Sequence, residues 1–493
     1  MALSENLIEK LEIDFSKLDS LVKPQRVVHG DSVSVRVTVV TRELKKLDIP
    51  AELVSISPLG LLLTIDDPNI DLEMGQRFTS ELRVGNQLIT NIAVVVSMVN
   101  DTEGTRGYVA RIVAPTNPER TTSTDRRKTP RWICNEQFYP TAIAANPGKY
   151  NDYMYFSFRD LSKNGARAVT SLRNKFIVRG MMLECLVSLP MVSQLTLRAS
   201  IANVNVYSEK GKDLLSVGLE FENLELGDHQ AIAQYLLQFG DTVSLQSLRD
   251  AGLVPNSVAR AVSYSFVRTS EELEEVLALR HATYTAAGKD SDDFQADPYD
   301  ARSKIVIGKY RGKIVASCRI FFPEESDLLE QEQYVKLPSS IGRKDQIAEI
   351  MRVCTHPDFR RGDLLISLFH FLAVTCVQAK RYIVLGCAEP HLLKVYTDIG
   401  FQDIGVEYVH KGLGNTKHRA FLADARERIQ GRGVNPLIWN VVWKDTERYL
   451  SQTGMLASTP QTITRTSIYR LLGPISKVMR ARMSKPRKKQ RKG

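Results

Sequence analysis

The chain has 493 residues, 43% of them apolar and 25% charged, which is too long for one hydrophobic core and suits a globular protein of about two to four domains. Its formal charge of +10 is confined to one end: nine Lys and Arg and no acid lie between Lys477 and Gly493, so the rest sums to +1 and no basic folded domain for nucleic acid is expected. Six cysteines (134, 185, 318, 354, 376 and 387) form no CxxC pair and are too sparse for a disulfide-stapled secreted protein. They are read as reduced thiols of a cytoplasmic protein, and no metal-ligand spacing accompanies them.

In chain order, MALSENLIEKLEIDFSKLDSLVK is an amphipathic pattern broken by acids, expected as a helix within residues 1–28 and lacking the apolar stretch of a signal peptide. No later stretch reaches about 18 consecutive apolar residues, so no spanning helix is expected. Two segments, AELVSISPLGLLLTIDDPNIDLEMGQRF and FRDLSKNGARAVTSLRNKFIVRGMMLEC, then repeat one another. Each places a Ser three residues before a Gly (Ser57 and Gly60; Ser162 and Gly165) and a second Gly fifteen residues further on (Gly75; Gly180). Alternating strands follow both, then a Gly leading into a strand at Gly107 and Gly218. Two copies of one antiparallel β-barrel-like unit, at 29–115 and 131–242, are expected, with two unrelated small β domains as the alternative.

Between the copies, residues 116–130 form a Pro-, Thr- and Ser-rich linker ending in an arginine arm, Arg126, Arg127 and Arg131. About thirty residues after Arg131 comes Asp160-Leu161-Ser162-Lys163-Asn164-Gly165 at a strand-to-turn boundary; the first copy has Ser55 at the Asp160 position and no such arm. R-x-x-x-R followed by D-x-S-x-x-G resembles the ligand motif of the bacterial PilZ family, which implies a receptor for cyclic di-GMP in the second copy and a degenerate, structural or regulatory first copy. The chemistry suits that ligand. Arg127 and Arg131 can clamp guanine or phosphate with planar forks, Asp160 can accept from the donor edge of guanine, Ser162 can bond phosphate, and Gly165 permits a positive-φ turn and close backbone approach. Ordering of the arm on the nucleotide is expected to fix one copy relative to the other.

A helix pattern, DHQAIAQYLLQFG, closes the second copy, and 243–264 is a linker. From about Val267 the pattern becomes mixed α/β: a capped helix starting at Ser270, a hairpin turning at Arg311-Gly312, the strand AEIMRVCTH, the turn PDFRRGD, the apolar helix LLISLFHFLAVTCVQ, the buried strand YIVLGCA and a short helix ending at Ile399-Gly400-Phe401. Over 265–453 this order, with DPYDARS (Asp297–Ser303), Arg319, Glu349-Ile350-Met351-Arg352, the turn His356–Gly362 and PHLLKVYTDIGF, resembles the GNAT acyltransferases, and within them the N-acyl amino acid and acyl-homoserine lactone synthases. The fold class is thus multidomain, two PilZ-like antiparallel β-barrels followed by an α/β GNAT-like domain.

The resemblance implies aminolysis of a thioester. Glu349 is the candidate general base, Arg352 holds a substrate carboxylate or the base, Tyr396 protonates the departing thiolate, and strand amides near Val353 hold the acyl oxygen. The turn Arg360-Arg361-Gly362-Asp363 has one glycine where acetyl-CoA users have two or three, and its acid disfavours a diphosphate. Acyl carrier protein, meeting Arg360 and Arg361, is therefore the expected donor, with acyl-CoA the other, and the acceptor is an amino acid or related amine. The bland readings are a structural Glu349–Arg352 pair, a packing role for Tyr396, a turn role for His356 and buried structural thiols. As a whole, the chain reads as a cyclic di-GMP sensor controlling an N-acyltransferase; an acetyl-CoA-dependent acetyltransferase and a non-catalytic effector or scaffold are the alternatives. The tail, 454–493, joins an apolar cluster to a basic run and fits peripheral contact with an anionic inner membrane.

Overall fold

The computed structural model describes residues 25–27, 33–40, 45–65, 67, 69–100, 106–113, 129–149, 151–174, 176–288, 297–360, 362–411 and 415–476. The expected N-terminal helix, Arg126, Arg127, Arg361 and the basic run from Lys477 lie outside them. The chain forms two compact units, Met1–Val243 with Ser247–Asn256, and Ser244–Gln246 with Ser257–Gly493. No helix among the described residues is long and apolar enough to cross a membrane.

The first unit holds two antiparallel sheets. In the first, β1 (Gln25–Arg26), β2 (Val33–Val40), β3 (Lys46–Ile49), β4 (Glu52–Ser57), β5 (Gly60–Ile65), β6 (Arg77–Val84), β7 (Gln87–Asn100) and β8 (Arg106–Val113) run in the order β1-β4-β5-β8-β7-β6-β2-β3. In the second, β9 (Arg131–Ile133), β10 (Thr141–Ala145), β11 (Tyr153–Ser162), β12 (Gly165–Ser171), β13 (Met182–Leu189), β14 (Ser193–Glu209) and β15 (Lys212–Glu222) run β10-β13-β14-β15-β12-β11-β9. Period-two burial explains the strands: Leu183, Cys185, Val187 and Leu189 of β13 point inward while their neighbours face out.

The repeat is structural. Ser57 and Ser162 donate their hydroxyls to the carbonyls of Gly60 and Gly165 across the same hairpin. Gly75 and Gly180 both take positive φ, +80° and +85°, and bond across to Val95 and Ile201, beside which β7 and β14 each carry a bulge. One difference separates the copies. In the second, β10 pairs with both β13 and β11, so the pairing returns on itself through six strands. In the first, β2 carries the extra strand β3, and no pairing joins it to β4 among the described residues. The expected first barrel is thus an open eight-stranded sheet.

The copies touch through side chain-to-backbone bonds. The Gln87 amide donates to the Met182 carbonyl (2.6 Å) and accepts from its N–H (2.8 Å), completing the ladder as a strand would, and Asn91 Nδ2 donates to the Arg179 carbonyl at 2.9 Å. A ligand-driven shift of one copy against the other would have to break these bonds.

The second unit is built on one sheet: β16 (Ser263–Phe266), β17 (Lys304–Tyr310), β18 (Lys313–Phe321), β19 (Ile347–Thr355), β20 (Ile383–Ala388), β21 (Gln402–His410) and β22 (Thr416–Asp424), in the order β16-β17-β18-β19-β20-β22-β21. Arg311 and Gly312, φ +51° and +82°, make the tight β17–β18 hairpin. The expected helix begins at Ser270 and runs to Thr285, capped by Thr269, whose hydroxyl accepts from Glu272 N. The helix Leu364–Gln378 buries Leu368, Leu372 and Cys376 against the sheet, and the segment Pro436–Gln452 packs on it through Trp439 and Trp443, whose indole N–H groups donate to Ile429 and Ile399.

Candidate functional site

In the first unit, β9 adds to the edge of β11 with Arg131 opposite Ser162 and Ile133 opposite Asp160. That register delivers the arm to the turn. Arg131 Nη1 donates to Asp160 Oδ1 at 2.9 Å, while Arg167, which the sequence motifs did not include, donates from Nε to Oδ2 at 2.9 Å and from its backbone N–H to Oδ1 at 3.2 Å. The Arg167 guanidinium lies 5.6 Å from the centre of the Tyr207 ring. Asp160 therefore lies between two cations, and a guanine edge would have to displace one of them.

Ser162 is 2% exposed and its hydroxyl proton is committed to Gly165. Since Ser57 makes the same bond in a copy without the Asp, this Ser–Gly pair belongs to the turn. Gly165 does not take positive φ. Its requirement is the close approach instead, because a Cβ there would stand 2.4 Å from the Leu219 carbonyl oxygen. Gly165→Ala is expected to cost about 1–3 kcal/mol in chemical denaturation, against less than about 1 kcal/mol for alanine at the open, positive-φ Gly211.

In the second unit, β19 and β20 pair in parallel from Ile347–Ile383 to Ile350–Gly386 and then part, while β19 runs on to Thr355 along β18. Arg352 takes φ +55° at this point, beside an irregularity in the β18–β19 register. A cavity of about 110 Å³ lies in the opening, with Arg352, Val353, Tyr396, Glu389 and His418 in its wall. A second, almost wholly apolar cavity of about 30 Å³ shares Ile350, Phe369, Val384 and Phe401 with it and continues between Leu372, Cys376 and Trp443.

Behind the cavity is a buried ionic cluster. Arg319, 1% exposed, bonds Asp297, Asp300 and Glu330; Arg352 donates to Asp297 at 2.9 Å and reaches Glu330 at 3.4 Å; Arg280 grips Asp300 with two 2.8 Å bonds. Burial alone would raise the Asp297 carboxyl, but the guanidiniums of Arg319 and Arg352 outweigh it and bring it to about 2. Burial likewise works against ionisation of Asp300 and Glu330, but Arg280 holds the first below the ordinary range, and His410 with Arg319 and Arg352 the second.

Glu349 belongs to this cluster rather than to the cavity wall. Its carboxylate, 1% exposed, accepts from the backbone N–H groups of Glu330 (2.9 Å) and Gln331 (3.1 Å), and burial pushes it up to about 7 against those bonds. Tyr396 stacks on Phe421 at 4.3 Å, and burial raises its phenol well above the ordinary value, so it stays protonated. Cys387, in the wall, is raised by burial to about 12 and is therefore a thiol and no ready nucleophile. His356 caps its turn, its Nδ1 accepting from Asp358 N at 3.3 Å.

The donor turn differs from expectation in one respect. Asp363 does not present its charge outward: it is buried and accepts from Ser257 Oγ (2.7 Å), Val258 N (2.7 Å) and Ala259 N (3.0 Å). Val258 in turn packs on Gly362, where a Cβ would meet it at 2.8 Å. The segment Ser257–Ala259 is thereby clasped against the start of the helix Leu364–Gln378.

The second unit, with parted parallel strands, a cavity between them and a buried ionic cluster at its back, resembles the N-acyltransferases. A family model described as "N-acyl amino acid synthase FeeM" matches residues 275–420. Among solved structures, FeeM from uncultured soil microbes is 13% identical, the match covering 35% of this chain and 94% of that one at a TM-score of 0.29. ElaA of Escherichia coli is 17% identical, with 32% and 98% covered at 0.25. The complex of K. pneumonia MrkH with c-di-GMP is 15% identical, with 42% and 86% covered at 0.20. No curated protein matches the sequence.

Proposed function

We propose that the protein is a bacterial cyclic di-GMP sensor whose second unit joins an acyl group, long-chained and carried on acyl carrier protein, to an amine such as an amino acid. The observation that carries the acyl-transfer half is the cavity at the parting of β19 and β20, whose wall mixes Arg352, Glu389 and His418 with apolar side chains and is continued by a small apolar cavity. The first is suited to the thioester head, and the second marks the direction in which an alkyl chain would run. Arg352 is suited to a substrate carboxylate, Tyr396 to a hydrogen bond toward the leaving sulfur, and the edge of β19 at Val353 to the acyl oxygen. The clasp of Ser257–Ala259 over Gly362 narrows the turn that a CoA pyrophosphate would use and favours a carrier-protein donor over acetyl-CoA. Arg360 and the neighbouring Arg361 are assigned to the acidic carrier. Membrane contact rests on the sequence of the tail alone.

The sensor half is supported by Asp160 poised between Arg131 and Arg167. Nucleotide would take over Arg131 from Asp160, together with Arg126 and Arg127 of the arm. Isothermal titration of cyclic di-GMP against the wild type and an Arg127→Ala, Arg131→Ala double variant tests it. Binding weakened at least about 100-fold in the variant is expected, with a modest loss of thermal stability from the part-buried Arg131–Asp160 pair; equal affinity would refute the site. Incubation of dodecanoyl-acyl carrier protein with a mixture of amino acids, followed by lipid extraction and mass spectrometry, tests the enzyme. A new acyl amide is expected from carrier-bound donor, and product from acetyl-CoA alone would favour the acetyltransferase reading.

A further inference from the structure

Counted by charge, the buried cluster is one cation short: Arg280, Arg319 and Arg352 face Asp297, Asp300, Glu330 and Glu349. The balancing charge is a proton, which Glu349, raised by burial to about 7, holds at lower pH. Next to the cluster sits His410, 0% exposed, with neither ring nitrogen in a well-formed hydrogen bond and Nε2 3.3 Å from Glu330 Oε1. Its ring centre is 5.3 Å from that of His418, which is itself buried yet lines the reaction cavity. His418 Nδ1 stands 3.0 Å from the Thr416 carbonyl oxygen. A carbonyl can only accept, so Nδ1 carries the proton and the basic lone pair lies on Nε2.

We propose that His418 takes the proton of the attacking amine, and that His410, seated on Glu330, is a positioning residue that shares the resulting charge with the buried carboxylates. This rests on the acyl-transfer reading. As the nitrogen–carbon bond forms, the N–H electron pair stays on nitrogen and the proton passes to His418 Nε2. The sulfur leaves with the carbon–sulfur pair and takes that proton from the imidazolium, which restores the ring. Glu349 is less suited to the task, since both its oxygens accept from backbone amides away from the cavity wall. The charged or titratable groups facing the pair are Glu330 and Tyr334 before β19, Tyr408 on β21, and Arg352, Cys387, Glu389, Tyr284 and Tyr396 around the cavity.

The test uses the full chain with dodecanoyl-acyl carrier protein and the best amino acid found. His418→Gln is expected to lower kcat about 100-fold with little change in KM, and to lose less with hydroxylamine, which is already neutral at the assay pH. His410→Gln is expected to keep KM and move the acid limb of the pH–rate profile to lower pH. In parallel, NMR of 15N-histidine protein without substrate should place the His418 titration lower in His410→Gln than in the wild type. A His418→Gln enzyme with wild-type kcat, or a His418 titration indifferent to His410→Gln, would overturn the proposal. An inactive wild type would remove the acyl-transfer reading, and with it the assignment of a base, while the NMR would still decide whether the two rings are coupled.

Discussion

Arg319→Met is expected to destabilise the second unit by about 3–5 kcal/mol at neutral pH, the largest effect of any single substitution considered. The guanidinium is almost fully buried and meets Asp297, Asp300 and Glu330 together. Removing it leaves carboxylates with no water to turn to, and breaking a buried ionic group from one side costs far more than the group contributes when whole. Arg280 and Arg352 remain, so Asp300 and Asp297 each keep one cation, and Glu330 keeps its contact with Arg352. Urea denaturation at neutral and mildly acidic pH measures the loss. It should shrink as the pH falls and the orphaned carboxylates protonate; a loss under about 1 kcal/mol at neutral pH would mean that water reaches the cluster.

The second large effect belongs to Glu349. Its carboxyl is raised from the ordinary 4.5 to about 7, first by burial. Between those values the unfolded chain ionises this group and the folded chain does not, so the unfolded state binds fewer protons and stability falls as pH rises. The contribution is whole below about 4.5 and spent above about 7. At about 1.4 kcal/mol per pH unit the interval is worth about 3 kcal/mol. Asp297, Asp300 and Glu330, held low by their cations, act in the opposite sense, losing stability as pH falls below the ordinary carboxylate range. Comparison with Glu349→Gln isolates the term: the wild type's advantage over the variant should decline by about 3 kcal/mol between pH 4.5 and 7 in urea titrations. A constant difference would contradict the buried, protonated carboxyl.

Local pattern carried much of this architecture. The Ser–Gly hairpins, the second glycines at positive φ, the Arg311-Gly312 turn and the helix Leu364–Gln378 are written in spacings of a few residues. What depends on distant pairing was not legible. The first copy looks like a barrel because its strands alternate as the second copy's do, but whether β2 meets β4 is decided between segments that share no local signal. Arg167 is hidden because it acts through the register of β12 on β11, and Glu330 because it lies in an irregular connection outside any motif. His410 and His418 read as two unremarkable positions on a hairpin until the β21–β22 pairing sets their rings side by side. Of the two reasons read for Gly165, close backbone approach holds and positive φ does not, since φ cannot be read from a letter.

The Gln87 bridge bears on how such a protein can be inherited. Met182 offers its amide and carbonyl to a side chain of the other copy, and a Cβ on Gly180 would stand only 3.0 Å from buried Ile89. A gene fragment encoding the second copy alone would expose that strand edge and the apolar surface beside it, inviting aggregation. The first copy therefore covers, from within the same chain, an edge that the second leaves open. Recombination that kept this edge covered would carry both halves as one cassette.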